Sequence, residues 1–210
     1  MAIKPILFNS EMVRAILDGR KDATRKIVKG FIPDDAVWGY TAFTPKGYIS
    51  CRGTFADGYG EKFFKLPCEP GDILYVRETW KKALNGYYYY EAWQRNDIAD
   101  VTKWKPSIRM PKEAARIWLK VTNVRVERLQ EITDEQAKRE GIQYDECPTG
   151  FTWKQETDMH NCYTTPIGAM QALWNSTIKK SDLDGYGWDA NPWVWTIEFE
   201  RCEKPEEISV

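Results

Sequence analysis

The sequence predicts an α+β fold built mainly on antiparallel strands. Short apolar segments alternate with turn residues such as Gly, Pro and Asp along most of the chain, a pattern typical of hairpins. Three short segments, near residues 10–18, 133–140 and 165–174, carry helix-capping signals instead. Strands and helices do not alternate with the spacing of βαβ units, which argues against a doubly wound parallel sheet.

Composition limits the classes of function. Hydrophobic residues make up 42% of the chain and 10 residues are Trp, which is enough for a packed core. The net charge of −1 excludes a strongly basic nucleic-acid coat but permits a local basic groove. No apolar run approaches the length of a membrane span, and the N-terminus lacks a signal-peptide core. The five scattered cysteines predict reduced thiols in a cytoplasmic protein without membrane association.

The 210 residues suit one domain with insertions. We expect that domain to cover residues 1–202, followed by a flexible tail over 203–210. The insertions are expected near residues 27–66, 81–112 and 143–164. The sequence does not indicate the oligomeric state.

The first half predicts a strand over residues 4–8 and then a helix, with Ser10 as its N-cap and Gly19 as its stop. Only glycine adopts the left-handed conformation at that stop easily. Residues 72–76 predict a compact apolar strand. In the insertion that follows, residues 87–93 predict one hairpin strand.

The second half begins with the clearest strand signal, over residues 117–126. Apolar alternation slips in phase at Asn123, which predicts a β-bulge. Thr133 and Gln136 have the spacing of a capping box, so a short helix follows. Residues 193–199 predict the last strand.

One segment, Gly-Arg-Lys-Asp-Ala-Thr-Arg-Lys at residues 19–26, concentrates cations and one hydroxyl. Lys21 and Thr24 fall there on non-helical backbone, and a Lys-activated hydroxyl is one way to make a nucleophile. The alternative is a solvated basic loop. Glu140 falls at the end of the 133–140 helix, where the helix dipole disfavours an anion. Such a carboxylate suits a general base unless Lys21 compensates its charge; the alternative is an exposed Glu.

These segments together resemble an ASCH domain of the PUA-like β-barrel superfamily. The resemblance rests on G-x-K-x-x-T at residues 19–24, PGDILYV at 70–76, LQEITDEQAKREG at 129–141 and WVWTIEF at 193–199. The blocks VRETW and YGWDANPWVW are similar to ASCH proteins of phages and prophages. The resemblance implies a PUA-like, mainly antiparallel β-barrel with flanking short helices and insertions at its rim.

The resemblance also implies an activity. A small bacterial ASCH enzyme that hydrolyses the amide of N(4)-acetylcytidine is similar in these segments. Its Lys, Thr and Glu correspond to Lys21, Thr24 and Glu140, so these are the implied catalytic residues, with no cofactor. The implied partner is RNA or a modified nucleoside, with DNA as an alternative. The family pattern has an Arg where this chain has Lys26.

Five residues around that centre are candidates for substrate binding. Trp and Arg planes stack on bases, and Arg forks onto phosphate or guanine edges. Glu78 is a candidate acceptor for a cytosine amino group or a partner of Arg77, and Trp80 is either a stacking platform or a core residue. The five candidates are Arg25, Arg77, Glu78, Trp80 and Arg109.

Two other readings of the function stay open at this stage. One is a non-catalytic RNA- or DNA-binding module, and the other is a phage protein that acts on a host protein. Cys147, His160 and Cys162 lack a C-x-x-C knuckle and a clear fourth ligand, so a structural zinc is not expected.

Overall fold

The computed structural model describes residues 1–94, 103–145, 150–152 and 162–206. The strands are β1 (Ile3–Leu7), β2 (Ala23–Ile27), β3 (Val37–Gly39), β4 (Tyr48–Phe55), β5 (Gly58–Lys65), β6 (Ile73–Arg77), β7 (Trp80–Ala83), β8 (Gly86–Tyr89), β9 (Trp118–Arg128), β10 (Gln143–Asp145), β11 (Gly150–Thr152) and β12 (Trp193–Cys202). The α-helices are α1 (Ser10–Leu17), α2 (Tyr90–Gln94), α3 (Asp134–Arg139), α4 (Pro166–Thr177) and α5 (Leu183–Tyr186). The predicted α+β class is confirmed.

A five-stranded sheet in the order β1-β6-β9-β12-β2 forms the centre of the molecule. β1 runs parallel to β6, and the other neighbouring pairs are antiparallel. The strands predicted near residues 72–76, 117–126 and 193–199 are therefore neighbours in one sheet. β2 lies at the edge and presents the basic segment.

The predicted bulge is present where β9 pairs with β12. Glu198 pairs with Asn123, but the next residue, Phe199, pairs with Val121, so Thr122 is the extra residue. A bulge shifts the side-chain alternation by one position. Val121 and Val124 consequently both pack in the main core cluster.

Helix α1 differs from the prediction at its cap. Asn9, not Ser10, is the N-cap, and its side-chain oxygen accepts the backbone N–H of Met12 at 2.9 Å. The predicted stop is confirmed, because Gly19 has φ of 74°. Arg20 and Lys21 still donate their backbone N–H groups to the carbonyl of Ala15, at 2.8 and 3.0 Å. The chain then passes directly into β2.

Two of the segments predicted as insertions contain small sheets apart from the central one. The sheet β3-β4-β5 falls within residues 27–66, and the hairpin β7-β8 begins at Trp80 and lies mostly within residues 81–112. The prediction of a strand over residues 87–93 is wrong beyond Tyr89, because α2 begins at Tyr90. In α2, the buried carboxylate of Glu91 accepts hydrogen bonds from Arg14 at 3.1 Å and from Arg116 at 3.0 Å.

Helices α3 and α4 pack together beside β2. The capping box of α3 is confirmed, since Thr133 and Gln136 exchange side-chain-to-backbone hydrogen bonds. In α4, Pro166 stands at the first turn and Thr165 caps the helix. No helix in the described ranges is both long and apolar enough to cross a membrane. Residues 203–206 lack regular structure, and residues 207–210 of the predicted tail lie outside the described residues.

Candidate functional site: a buried ion-pair cluster beside a cavity

Lys21 is a buried ammonium whose hydrogen bonds are all made. Its side chain is 0% exposed. The ammonium donates to the carbonyl of Ala23 at 2.8 Å, the carbonyl of Glu140 at 2.9 Å and Oε2 of Glu140 at 2.6 Å. A protonated lysine has three N–H donors, so the site is matched to the charged form. Burial lowers the pKa of Lys21, and the Glu140 carboxylate opposes that shift.

Glu140 is the C-cap of α3, and two cations bind its carboxylate. Besides the bond from Lys21, its Oε1 accepts from Nη1 of Arg25 at 3.1 Å. The dipole at the helix end disfavours an anion there, and these two cations offset it. Gly141 follows with φ of 102°, and a Cβ on it would lie 2.9 Å from the Cβ of Ala15. Glycine is therefore required for α3 to end this close to α1.

A cavity of about 240 Å³ lies beside this pair. Thr24, Arg25, Lys26 and Glu140 line its polar end. The structure thus places Lys21 in contact with Glu140, and Thr24 in the same cavity wall as Glu140. The apolar wall is formed mainly by Met12, Ile27, Met170, Leu173, Trp174 and Ile178.

Lys26 is a second cation in that cavity. Alternate residues of a strand share a face, so Lys26 lies next to Thr24 along β2. Its ammonium lies 5.6 Å from the ring centroid of Phe8, as does the ammonium of Lys21. Within the described ranges no carboxylate oxygen pairs with Lys26 inside 4.0 Å. Burial and then the Lys21 ammonium lower the pKa of Lys26.

The guanidinium of Arg25 is hydrogen-bonded to carboxylates of the protein and is not directed at a ligand. Its Nη2 donates to Glu127 at 2.5 Å and to Gln136 at 3.1 Å. The hydroxyl of Thr196 also donates to Glu127, at 2.7 Å. Burial alone would raise the pKa of Glu127, but the bonds from Thr196, Arg25 and Arg125 bring it below its usual value. Arg25 lines the cavity and fixes Glu140.

Glu127 and Gln136 belong to this cluster and were missed by sequence reasoning. The capping box located Gln136 but gave its side chain only a role in α3. Its amide oxygen also accepts from Arg25. For Glu127 the only signal was its place in an alternating strand.

Arg77 and Arg109 lie together outside the lining of this cavity. Arg77 donates from Nη1 to the carbonyl of Ile108 at 3.3 Å and from Nη2 to the hydroxyl of Tyr75 at 3.2 Å. Nε of Arg77 is buried and has no partner among the described residues. Arg109, next to Ile108, is exposed.

Glu78 and Trp80, which directly precede the 81–112 segment, are both buried. Glu78 is 2% exposed and accepts two 2.8 Å bonds from Arg116, so its partner is Arg116 and not Arg77. Burial raises the pKa of Glu78, and Arg116 opposes the shift. Trp80 belongs to a core cluster with Trp118, which is the alternative that the sequence offered. Neither residue lines the 240 Å³ cavity.

Of the three residues considered as zinc ligands, Cys147 and His160 lie outside the described part of the chain. In the described ranges no group of three or more His, Cys, Asp or Glu side chains is arranged to hold a metal. Cys51 and Cys68 are buried free thiols, and burial raises the pKa of each to about 11.

Comparison with known proteins identifies no protein similar to this chain. Neither the protein-family models nor the curated proteins nor the solved structures contain a match to this chain.

Proposed function

We propose that this chain is an ASCH-type domain of the PUA-like superfamily, with its central sheet curved as a barrel, that hydrolyses the amide of an N-acylated cytidine. The proposal is carried by one observation: Glu140, which forms a buried pair with Lys21, lines a cavity whose wall also contains Thr24. A cation, a carboxylate and a hydroxyl from separated segments are the parts of an activated nucleophile.

The cavity suits a single modified base. Its volume of about 240 Å³ lies below the roughly 300–1,000 Å³ typical of sites for drug-sized ligands. The apolar wall from α4, with Leu173 and Trp174, favours a flat base. The polar end, with Thr24 and Lys26, then receives the acyl amide.

The reaction begins with attack of the Thr24 oxygen on the acyl carbonyl carbon. The hydroxyl proton passes to the Lys21–Glu140 pair, whose ammonium and carboxylate already share a proton across a 2.6 Å bond. The C–N bond breaks, and the pair transfers that proton to the nitrogen of the departing cytosine, which becomes its amino group. Water then hydrolyses the Thr24 ester, so the overall products are cytidine and a carboxylic acid.

Lys26 stabilises the oxygen on which negative charge develops. Its ammonium has no carboxylate partner among the described residues, unlike Lys21 and Arg25. A donor aimed at the developing oxyanion in a water-poor cavity is among the largest contributions to catalysis. Lys26 occupies the position at which the family pattern has Arg, and the proposal gives this position the role of stabilising the oxyanion.

A second candidate is a nucleic-acid-binding domain without catalysis. The observation that favours it is the saturation of Lys21, whose three N–H donors are all used within the protein. In that case the cluster only shapes the cavity, and the exposed Arg109 contacts phosphate.

The deciding experiment is incubation with N(4)-acetylcytidine, with release of cytidine followed by chromatography. Thr24→Val should lower kcat by at least about 10³-fold. The matched control is Thr177→Val: Thr177 also lines the cavity, but its hydroxyl donates to its own helix at 2.7 Å. Binding of the nucleoside by wild type without turnover supports the second candidate, and a fully active Thr24→Val contradicts the role of Thr24.

A further inference from the structure

A second cavity, of about 210 Å³, lies in the 81–112 insertion, and its lining is largely aromatic. It is formed by the hairpin β7-β8, the end of α2 and the segment after residue 103. The lining residues are Lys81, Ala83, Tyr88, Trp93 and Trp104. None of them lines the 240 Å³ cavity, so this is a separate site.

The aromatic walls of this cavity stand nearly at right angles. Trp93 meets Tyr88 with ring centroids 5.6 Å apart and an interplanar angle of 89°. It meets Trp104 at 6.1 Å and 71°. These rings are in edge-to-face contact with one another, so a flat ligand would lie against them inside the cavity; it can stack on the face of one ring while it meets the edge of another, and both arrangements are favourable for aromatic pairs.

The charge of the residues that line the cavity determines which flat or apolar ligands it can bind. Lys81 lines it, and none of the described residues that line it is a carboxylate. A cationic ligand, such as a methylated ammonium, would be repelled by Lys81 although aromatic walls attract cations. Lys82 and Lys105, both exposed, add positive charge on the same insertion. An aromatic ligand that carries a negative group is the best match.

We propose that this cavity binds an unpaired nucleobase of a single-stranded nucleic acid, with Lys81 contacting the adjoining phosphate. Stacking on aromatic side chains beside a cationic rim is how single strands are held without sequence preference. The proposal does not depend on hydrolysis in the other cavity, since it applies equally to an enzyme and to a non-catalytic binding domain.

The test is fluorescence anisotropy of 5′-fluorescein-labelled hexa-adenylate with the full-length protein at a series of salt concentrations. Trp104→Leu should raise Kd roughly 5- to 150-fold, the effect of one lost base stack. Lys81→Gln should make the slope of log K against log salt shallower by about 0.7, the value of one single-strand phosphate. The control is Tyr59→Leu, which removes an aromatic side chain that is 75% exposed on β5.

A cavity-filling variant guards against misfolding of Trp104→Leu. Ala83→Leu adds bulk from the hairpin into the cavity while every aromatic wall residue is kept, and it should weaken binding as well. Equal affinity of wild type, Trp104→Leu and Ala83→Leu for the oligonucleotide overturns the proposal. So does binding of an apolar dye to this cavity with no affinity for hexa-adenylate, because the site would then accept apolar groups without phosphate.

Discussion

The ammonium of Lys21 and Oε2 of Glu140 lie 2.6 Å apart, although 119 positions separate the two residues in the chain. The contact joins the start of β2 to the end of α3, and a backbone bridge between the same residues reinforces it. Both side chains are almost fully buried. Each therefore supplies the charge that makes burial of the other tolerable.

Removal of one partner should be strongly destabilising. We expect Glu140→Gln to lower the free energy of unfolding by about 3–5 kcal/mol, because it leaves the Lys21 ammonium buried without its counter-ion. Urea denaturation measures the change. Glu135→Gln, an exposed carboxylate on the same helix, is the control and should stay within about 0.5 kcal/mol.

A double variant tests whether Lys21 and Glu140 stabilise the protein as a pair or each contribute independently. Lys21→Met with Glu140→Gln should be less destabilised than the sum of the two single variants, because no unpaired charge remains. Simple additivity would show that the two groups are not energetically coupled.

Activity should depend on the charge of Lys26. Burial and the neighbouring Lys21 place its pKa below the ordinary value of 10.5, so its ammonium loses a proton earlier than an exposed lysine. The proposed role needs the protonated form, hence kcat should fall as pH rises through that lowered pKa. Lys26→Arg should move this alkaline limb to higher pH, because Arg stays protonated. An unchanged limb in steady-state pH profiles contradicts the assignment.

Arg77 and Arg109 should contribute to RNA affinity through phosphate. Arg77→Ala and Arg109→Ala should each weaken binding and make the salt dependence shallower by about 0.7 in the log–log slope. Arg201→Ala, an exposed cation on β12, is the control with the same loss of charge. If all three variants weaken RNA binding equally, only net charge matters and the Arg77–Arg109 surface has no special role.

Gly141 should tolerate substitution less well than Gly19. Both glycines have positive φ, 102° and 74°, but a Cβ meets Ala15 at 2.9 Å only at position 141. Gly19→Ala should cost roughly 1–2 kcal/mol for left-handed backbone alone. Gly141→Ala should cost more, as measured by thermal and urea unfolding. Equal losses would mean that α1 and α3 can separate easily.

The sequence predicted the parts of the fold that have local causes. The bulge at Thr122, next to Asn123, follows from a phase slip that can be read residue by residue, and the stop at Gly19 follows from backbone freedom. The meeting of Lys21 with Glu140 is not local; it was expected because an anion at a helix end needs a cation and because the family resemblance pointed to Lys21.

The parts that failed depend on long-range packing. Among ten Trp residues no local pattern marks Trp80 as buried, since its cluster forms only after the insertion folds onto β9. Glu91 in α2 is likewise bound by Arg14 and Arg116, which reach it from other segments. Arg25 depends on Glu127, which comes near through the register of β2 and β9 on β12.

That register continues along β9 from the bulge at Thr122 to Glu127. The segment that follows the bulge carries Glu127 toward Arg25. A strand shifted by one residue turns its side chains to the opposite face. Because Thr122 is the extra residue, its loss would remove only the bulge, but loss of a paired residue such as Val124 would turn Glu127 away, release Arg25 and leave Glu140 with one cation. A single-codon deletion distant from the cavity can therefore disable it.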